Sequence, residues 1–201
     1  FQLGIDLRYD EAVGKRIQDT LSSRNNFSQI GDYALFAALR YQPLERLVIE
    51  PGLRYAYNTR YDAPLVPSIH AKYDFNEYWA ARASYSRGFR SPDIKELFFN
   101  FIDINHYIVG NPDLKAEYSD NVQLSFAYQQ RKGNHRLGFK IKGFYNHIRD
   151  KIELFEFLET AEGITPAVDT ATLQFTYFNQ ANYKTQGGSL TFNYAANGLE
   201  L

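Results

Sequence analysis

The sequence predicts an all-β protein: part of an antiparallel, up-and-down transmembrane β-barrel with long loops at one end and short turns at the other. Three observations lead to this prediction. Many segments alternate apolar and polar side chains with the period of a β-strand. The chain holds 16 Tyr, 16 Phe and 1 Trp, yet its mean hydropathy is -0.45, as expected of a wall with one apolar and one polar face. No stretch reaches the roughly 20 apolar residues of a spanning helix, so a membrane protein of this sequence must be a barrel.

The composition excludes several classes of partner and site. The 22 Lys and Arg residues balance 23 Asp and Glu residues to a net charge of -1, which gives no general drive toward nucleic acid or anionic lipid. Cysteine is absent, which excludes disulfides and thiolate metal sites. Methionine is also absent, and Phe1 already lies in the strand-like pattern FQLGIDLRY. We therefore expect a processed protein or, preferably, a piece cut from a longer one.

The alternation is clearest in seven segments, and we expect each of them to be a strand. Their apolar phase consists of Tyr33, Leu35, Ala37, Leu39 and Tyr41; Leu47, Ile49, Leu53, Tyr55 and Tyr57; Ile69, Ala71, Tyr73 and Phe75; Trp79, Ala81, Ala83 and Tyr85; Val122, Leu124, Phe126 and Tyr128; Leu137, Phe139, Ile141 and Tyr145; and Leu190, Phe192 and Tyr194.

The charged residues of these segments fall on the opposite phase. They are Arg40, Glu50, Arg54, Lys72, Asp74, Arg82, Arg136, Lys140 and Lys142. A Lys or Arg that faces lipid at mid-membrane costs about 2–4 kcal/mol, so a barrel has to sort its charges in this way. A soluble β-sandwich also hides its charges from one face, and it remains an alternative on this observation alone.

Short and long connections alternate along the chain. Short breaks lie at 43–45, 76–77, 131–134 and 197–198, and long connections lie at about 10–30, 58–65, 88–116 and 149–171. This is the pattern of short periplasmic turns and long extracellular loops. It predicts eight strands plus the start of another, with 172–196 as one long strand.

Two positions interrupt the strand pattern. Pro51 removes a donor from the strand at 47–57, so we expect a bulge at Pro51–Gly52 or an early end of that strand. The pair Gly187–Gly188 predicts a bulge or bend within the last long strand.

The 88–116 connection is long, rich in rings and has turn residues at both ends. Ser91 is positioned to cap a short helix with Pro92 in its first turn, and Ile94, Leu97 and Phe98 would form the apolar face of that helix. We expect the connection to be ordered by its own packing, as ligand-binding loops of barrels are.

At these residues the sequence resembles the barrel of TonB-dependent outer-membrane receptors. In that family a GFR-x-P box ends one strand and a G-N-P-x-L-x-x-E box begins the next. The matching residues are Gly88, Phe89, Arg90 and Pro92 for the first box, and Gly110, Asn111, Pro112, Leu114 and Glu117 for the second. FYNHIRDKIEL (144–154) and YFNQANYKTQGGSL (177–190) are similar to two further family stretches, although Ser189 stands where the family often has Glu.

The resemblance implies a location in the bacterial outer membrane, in contact with its lipid. Such receptors have about 22 strands around an N-terminal plug and import scarce ligands with energy that TonB delivers through that plug. We therefore expect residues 1–201 to be a segment of the barrel domain, about a third of the barrel, without the plug. The implied function is uptake of a small-molecule ligand, preferably an iron chelate such as a siderophore or haem.

Five residues are candidates for ligand binding. The resemblance points to His106, with Tyr107 beside it, because haem importers have a loop histidine between similar boxes. A neutral imidazole can ligate haem iron, but a histidine hydrogen-bonded for structure is the favoured interpretation of a lone loop His. Arg60 and Tyr61 would suit an anionic ligand, but the favoured interpretation is that they lie at a solvated loop tip. Arg90 is a further candidate, for which a structural role at the loop base is preferred.

The sequence offers no persuasive catalytic constellation, and we do not expect an enzyme. Ser, His and Asp occur without a nucleophile elbow or a triad spacing. Glu153, Glu156, Glu159 and Glu162 lack the order of a calcium loop, so no metal site and no resident cofactor are predicted. The alternatives are a complete eight-stranded outer-membrane adhesin or structural protein, which the two boxes disfavour, and the soluble sandwich.

Overall fold

The computed structural model describes residues 1–20, 22–24, 26–103, 107–160, 163–166, 174–196 and 199–200, with only the backbone course for 157–160, 163–166 and 199–200. Within these ranges the chain forms a 13-stranded sheet and one short helix, and no helix is long and apolar enough to cross a membrane. The elements are β1 (Gln2–Val13), β2 (Phe27–Ala38), β3 (Tyr41–Leu44), β4 (Leu47–Asn58), β5 (Val66–Asp74), β6 (Trp79–Arg90), α1 (Ile94–Phe98), β7 (Phe101–Ile102), β8 (Tyr107–Val109), β9 (Glu117–Lys132), β10 (His135–Thr160), β11 (Gly163–Pro166), β12 (Gln174–Ala196) and β13 (Leu199–Glu200).

Eight of these strands form a wall, in the order β1-β2-β4-β5-β6-β9-β10-β12, and every neighbouring pair is antiparallel. β3 continues the edge of β2 along β4, and β13 begins a further pairing with β12. The prediction of eight strands plus the start of another is therefore confirmed. Among the described residues the wall is open, because β1 and β12 are not paired with each other. This arrangement differs from that of a closed eight-stranded barrel.

One face of the wall is apolar and exposed. Its large side chains include those of the predicted apolar phase, and most of these are between 36 % and 68 % accessible. The register keeps these residues opposite one another from strand to strand, as for Leu35 opposite Tyr55 and Phe126 opposite Ile141. An apolar face that is this exposed has to be covered by something other than the described residues, and lipid meets that need.

Aromatic residues flank this apolar band at both of its ends. At the end with the short turns, the Trp79 ring lies 4.6 Å from Tyr128 and 4.9 Å from Phe126. At the end with the long loops, Tyr33 and Tyr57 stack with centroids 6.4 Å apart. Paired aromatic girdles of this kind mark the two interfaces of a membrane.

Pro51 neither forms a bulge nor ends its strand, so that prediction is wrong. β4 pairs with β5 in unbroken register through Pro51 opposite Ile69. On its other side, the Pro51 carbonyl accepts from the Leu39 amide at 3.0 Å, and only the reciprocal bond is lost because proline has no N–H. The interruption appears instead in the partner, at 39–40 between β2 and β3.

The bulge predicted at Gly187–Gly188 is also wrong. β10 and β12 keep one register past these residues, with Gly187 opposite Phe144 and Gly188 opposite Gly143. A Cβ on Gly187 would lie 2.8 Å from the Phe144 ring. The glycine therefore makes room for a cross-strand ring and does not bend the strand.

The connection predicted at 149–171 is much shorter than expected. β10 runs to Thr160 and stays paired with β12 as far as Phe157 opposite Gln174. Likewise, the connection predicted at 10–30 is reduced to 14–26 by the pairing of Val13 with Phe27. Backbone pairing with a neighbouring strand outweighs the polar composition of both segments.

The buried core lies at the long-loop end of the wall. It consists of Ile17, Ile30, Ile94, Leu97, Phe98, Leu114 and Ile152, here called the rim cluster. These residues come from the 14–26 and 91–116 connections and from the tops of β2 and β10. Compact packing in this chain is therefore concentrated where loops fold over the polar face of the wall.

Candidate functional site

The polar face of the wall carries a basic concavity of about 620 Å³. Five cations are grouped here: Arg40, Lys72, Arg82, Lys140 and Lys142. Arg40 pairs with Glu50 at 2.9 Å and Lys72 pairs with Asp74 at 2.7 Å. Arg82, Lys140 and Lys142 have no carboxylate partner among the described residues, so the five cations and two carboxylates leave a formal charge of +3 on this part of the face.

Helix α1 stands over the rim and is fixed by a capping box. The Asp93 carboxylate accepts from the amides of Lys95 and Glu96 at 2.8 and 2.9 Å, and the Glu96 carboxylate accepts from the Asp93 amide at 2.8 Å. The predicted cap at Ser91 is therefore wrong. Ser91 instead accepts from the Asn58 side chain at 3.1 Å, which ties the loop to β4.

The predicted apolar face of this helix is confirmed. Ile94, Leu97 and Phe98 are buried in the rim cluster, and Pro92 is fully buried before the helix. The spacing D-x-x-E at 93–96 is a capping-box pattern that a closer inspection of the sequence would have found.

The return of the loop depends on a glycine. A Cβ on Gly110 would lie 2.7 Å from the backbone of Leu97 and Phe98, so no other residue fits without moving the main chain. The Gly110 amide donates to Phe99 at 3.0 Å and the Asn111 amide donates to the Glu96 carbonyl at 2.8 Å. The G-N-P turn of the second box therefore docks directly on α1.

Arg90 joins the two boxes. Its guanidinium donates to both oxygens of Glu96 at 3.0 and 3.1 Å and to Glu117 at 2.7 Å. Glu117 also accepts from the Ile152 amide at 2.6 Å, where β10 has left β9 at the left-handed residue Asp150. One arginine thus links β6, α1, β9 and β10. A direct role of Arg90 in ligand binding stays a prediction.

Arg60 is not at a solvated loop tip, because its side chain is only 17 % exposed. It forms an ion pair with Asp19, whose side chain is fully buried, and its guanidinium lies 4.8 Å from the centroid of the Phe98 ring. Asp19 also accepts from Ser28 at 2.7 Å. Arg60 therefore ties the 59–65 connection to the 14–26 connection and to α1, and its binding of a ligand stays a prediction.

Tyr61 packs against the rim cluster. Its hydroxyl donates to the Leu114 carbonyl at 3.0 Å, and burial raises the pKa of Tyr61 to about 12. The phenol therefore stays neutral and keeps its donor at any physiological pH. Like Arg60, it lines a cleft with Pro112 and Asp113 at the rim, and its ligand role stays a prediction.

His106 lies outside the described residues, as do the neighbouring 104–105. Tyr107 begins β8, which pairs with β7 through Ile102 and runs parallel to the start of β12. Thr176 of β12 donates to the Val109 carbonyl at 3.0 Å. The structure thus places Tyr107 at the rim, against the start of β12.

Asn179 is a structural residue that sequence reasoning did not single out. It occupies the Asn of the Y-x-N stretch at 177–179. Its side-chain amide bonds both the amide and the carbonyl of Lys115, at 2.8 and 2.9 Å, and donates to the Asp150 carbonyl at 2.7 Å. The Y-x-N motif was the available signal, since an Asn side chain can form hydrogen bonds with both backbone groups of a residue in another segment.

The acidic segment of β10 is described at the side-chain level only as far as Glu156. Glu153 pairs with Lys151, and no three His, Asp or Glu side chains converge on a common point among the described residues. The positions of Glu159 and Glu162 side chains lie outside the description.

The comparisons with known proteins agree with this geometry. The family model for the TonB dependent receptor-like β-barrel matches residues 2–200. The iron-regulated outer membrane virulence protein of Vibrio cholerae is 27 % identical over 144 residues, which cover 71 % of this chain and 22 % of that protein. The chain thus spans about a fifth of the length of this protein and of the same receptor in a second strain.

Two solved structures share the fold. The hemophore receptor HasR of Serratia marcescens, solved with its hemophore HasA and heme, aligns with a TM-score of 0.74 at 20 % identity, over 96 % of this chain and 36 % of that one. The ferric enterobactin receptor PfeA of Pseudomonas aeruginosa aligns with a TM-score of 0.67 at 17 % identity, over 95 % and 30 %. The apolar outer band, the polar inner face and the two linked boxes are all accounted for by one assignment: the chain belongs to the TonB-dependent receptor β-barrel family and is an outer-membrane protein.

Proposed function

We propose that this chain forms part of the wall of a receptor that takes up an iron chelate, a siderophore or haem, by TonB-dependent transport. The observation that carries the proposal is the basic concavity on the inner face, below a rim that is locked by α1 and the two boxes. The names of the relatives support it, since they describe iron-regulated, haem-binding and ferric enterobactin receptors.

The charge of the inner face suits an anionic chelate. Siderophore catecholates and carboxylates and the propionates of haem are all negative, and the uncompensated Arg82, Lys140 and Lys142 would attract them into the barrel. The attraction is long-ranged at low ionic strength and needs no fixed pose. These residues would therefore favour entry and passage, whereas the loops set ligand identity.

The remaining parts of the receptor would come from outside this chain. We assign residues 1–201 to one segment of the barrel domain, and the plug and its contact with TonB to other parts of the full-length protein. The chain then contributes wall, rim and part of the binding surface. Its role is binding and translocation, and we assign it no catalytic step.

For the ligand, His106 and Tyr107 are the proposed contacts of haem. Arg60, Tyr61 and Arg90 are proposed as further ligand contacts that also shape the rim. Titration of the intact receptor with haemin tests this directly. A Soret shift that is lost in His106→Ala supports a haem ligand at His106. An unchanged spectrum on adding haemin would exclude it and leave the siderophore class.

Uptake in iron-starved cells tests the transport function. Cells that depend on the intact receptor should accumulate iron from haemin or from a ferric catecholate only when TonB is present. The reversal Arg82→Glu with Lys142→Glu should lower the uptake rate about tenfold, because it replaces attraction with repulsion. Lys115→Glu, an exposed lysine on the rim, is the matched control. Uptake that survives loss of TonB would contradict the proposal.

A further inference from the structure

The outer surface carries a row of charged residues directly above the apolar band. Arg87, Asp120, His147 and Lys184 lie opposite one another on β6, β9, β10 and β12. They share the outward phase with Tyr85, Val122 and Tyr145, which form the adjacent row of the band. Two residues along a strand correspond to about 6.8 Å, so the charges begin one step beyond the upper aromatic girdle.

Contacts within this row hold its arginines in place. Asp120 accepts from the Tyr85 hydroxyl at 2.7 Å and from Arg149 at 2.9 Å, and its carboxylate lies 3.5 Å from Arg87. Arg149 is the next outward residue above His147 on β10 and lies opposite Asn182. A single carboxylate thus fixes two guanidinium groups at the boundary of the band.

The row is not electrically balanced. Arg87, Arg149 and Lys184 oppose the one carboxylate of Asp120, which leaves a formal charge of +2. Lys184 is exposed and has no ionic partner among the described residues, and the buried Nε of Arg149 has no hydrogen-bond partner there. On β1 and β2, the outward pair that lies just before the 14–26 connection is Glu11 and Gln29, and neither residue is a cation. The positive charge is therefore local to β6, β9, β10 and β12.

We propose that this row, which we call the outer basic row (Arg87, His147, Arg149 and Lys184, held by Asp120), binds the phosphate of a lipid headgroup in the outer leaflet. The row is continuous with an exposed apolar band, so the molecule that covers both needs acyl chains below and an anionic head above. Three cations spread over about 14 Å, the width of four strands, suit a phosphorylated glycolipid. Arg and Lys both bind phosphate through charge-assisted hydrogen bonds.

The test uses the intact receptor in a non-ionic detergent, with lipid binding measured by native mass spectrometry. The probes are bisphosphorylated lipid A, the same lipid after removal of its phosphates, and inorganic phosphate. We expect the phosphorylated lipid to bind at least about tenfold more tightly than the phosphate-free lipid. Inorganic phosphate should bind far more weakly than the lipid, because it lacks the chains that contact the band.

The variants separate the outer basic row from general surface charge. Lys184→Gln should weaken binding of the phosphorylated lipid about threefold, and Arg149→Gln with Lys184→Gln about tenfold. Lys115→Gln, which removes the same charge from the rim, should stay within about twofold. Lys184 has no ionic partner to lose within the described part of the chain, so its variant keeps the test valid if the double variant folds poorly.

The proposal is overturned if Lys184→Gln binds like the unchanged receptor, if Lys115→Gln weakens binding equally, or if phosphate removal from the lipid has no effect. Tight binding of inorganic phosphate would point to a free anion and contradict the lipid assignment. Retention of a co-purified acidic protein at the row, lost in the same variants, would assign the surface to a protein partner instead.

Discussion

The wall and the rim of this chain obey different rules, although both are built on the same strands. In the wall, large apolar residues such as Leu124 and Leu190 are 60 % and 68 % exposed, and nothing in the described chain covers them. At the rim, Leu97, Phe98 and Leu114 are no more than 3 % exposed. The wall uses an external apolar solvent as its partner, whereas the rim makes its own core in the way that a water-soluble domain does.

This difference predicts which substitutions matter where. In the wall the direction of a side chain decides its effect, because one face meets lipid and the other meets water. At the rim the packing and the hydrogen bonds decide it, because buried backbone groups of α1 and the G-N-P turn have no water to replace lost partners. Four substitutions in the intact receptor separate the two rules.

The largest effect is expected from an arginine on the lipid side of β9. Leu124→Arg should destabilise the folded receptor by about 2–4 kcal/mol in lipid, because the charge faces the apolar band. Gln123→Arg, one residue away on the inner face, should stay within about 0.5 kcal/mol. Unfolding in urea from lipid vesicles measures both. Equal costs at the two positions would remove the distinction between the faces.

A β-carbon at Gly110 comes next. Gly110→Ala should cost about 1–3 kcal/mol, because the new atom meets main-chain atoms of Leu97 and Phe98 at 2.7 Å and cannot be accommodated by a side-chain rotation. The control is Gly138→Ala in the wall, where the nearest neighbour is 3.6 Å away. Faster proteolysis within 91–116 in Gly110→Ala alone checks the prediction, and comparable resistance in both variants would contradict it.

Loss of the arginine link should be smaller. Arg90→Lys should destabilise the rim by about 1–2 kcal/mol, since a single ammonium cannot serve both oxygens of Glu96 together with Glu117. The Ile152 amide donates a hydrogen bond to Glu117, so hydrogen exchange at this amide reports the change locally. Arg8→Lys, in the exposed pair with Asp10, is the control. Unaltered exchange at Ile152 would show that Arg90 does not hold the junction.

The smallest effect is expected at Tyr61. Tyr61→Phe removes the bond to the buried Leu114 and should cost about 1 kcal/mol. Tyr9→Phe, which removes an exposed hydroxyl bond to Gln29, should cost less. Thermal unfolding of the two variants ranks them, and a larger shift for Tyr9→Phe would contradict a tightly packed rim.

The two regions also differ in how far the sequence predicts them. Strand number, faces and order followed from alternation and from the sorting of charges, because lipid imposes both on every residue of the wall. The predictions that were wrong concern positions whose local structure depends on a residue in a neighbouring strand. Pro51 stays in its strand because the strand interruption occurs in the partner, at 39–40. Gly187 leaves space for the Phe144 ring. β10 runs past 149 because β12 pairs with it.

At the rim, the sequence identified the boxes but not their chemistry. The helix and its apolar face were predicted, whereas the cap at Asp93 and the link from Arg90 to Glu96 depend on contacts across the fold. The burial of Arg60 could not be predicted, because its partner Asp19 is 41 residues away in another loop. The outer basic row was hidden for the same reason, since its members come from four strands.

The central claim is that the phase of β9 that contains Val122, Leu124 and Phe126 faces lipid. Residues 1–201 contain no cysteine, so single cysteines at each position from 121 to 127 can carry a fluorophore in the intact receptor after replacement of any cysteine outside this segment. Quenching by nitroxide-labelled lipid should be strong at 122, 124 and 126 and weak at 121, 123, 125 and 127. Uniform quenching along the strand, or the opposite phase, would contradict the account.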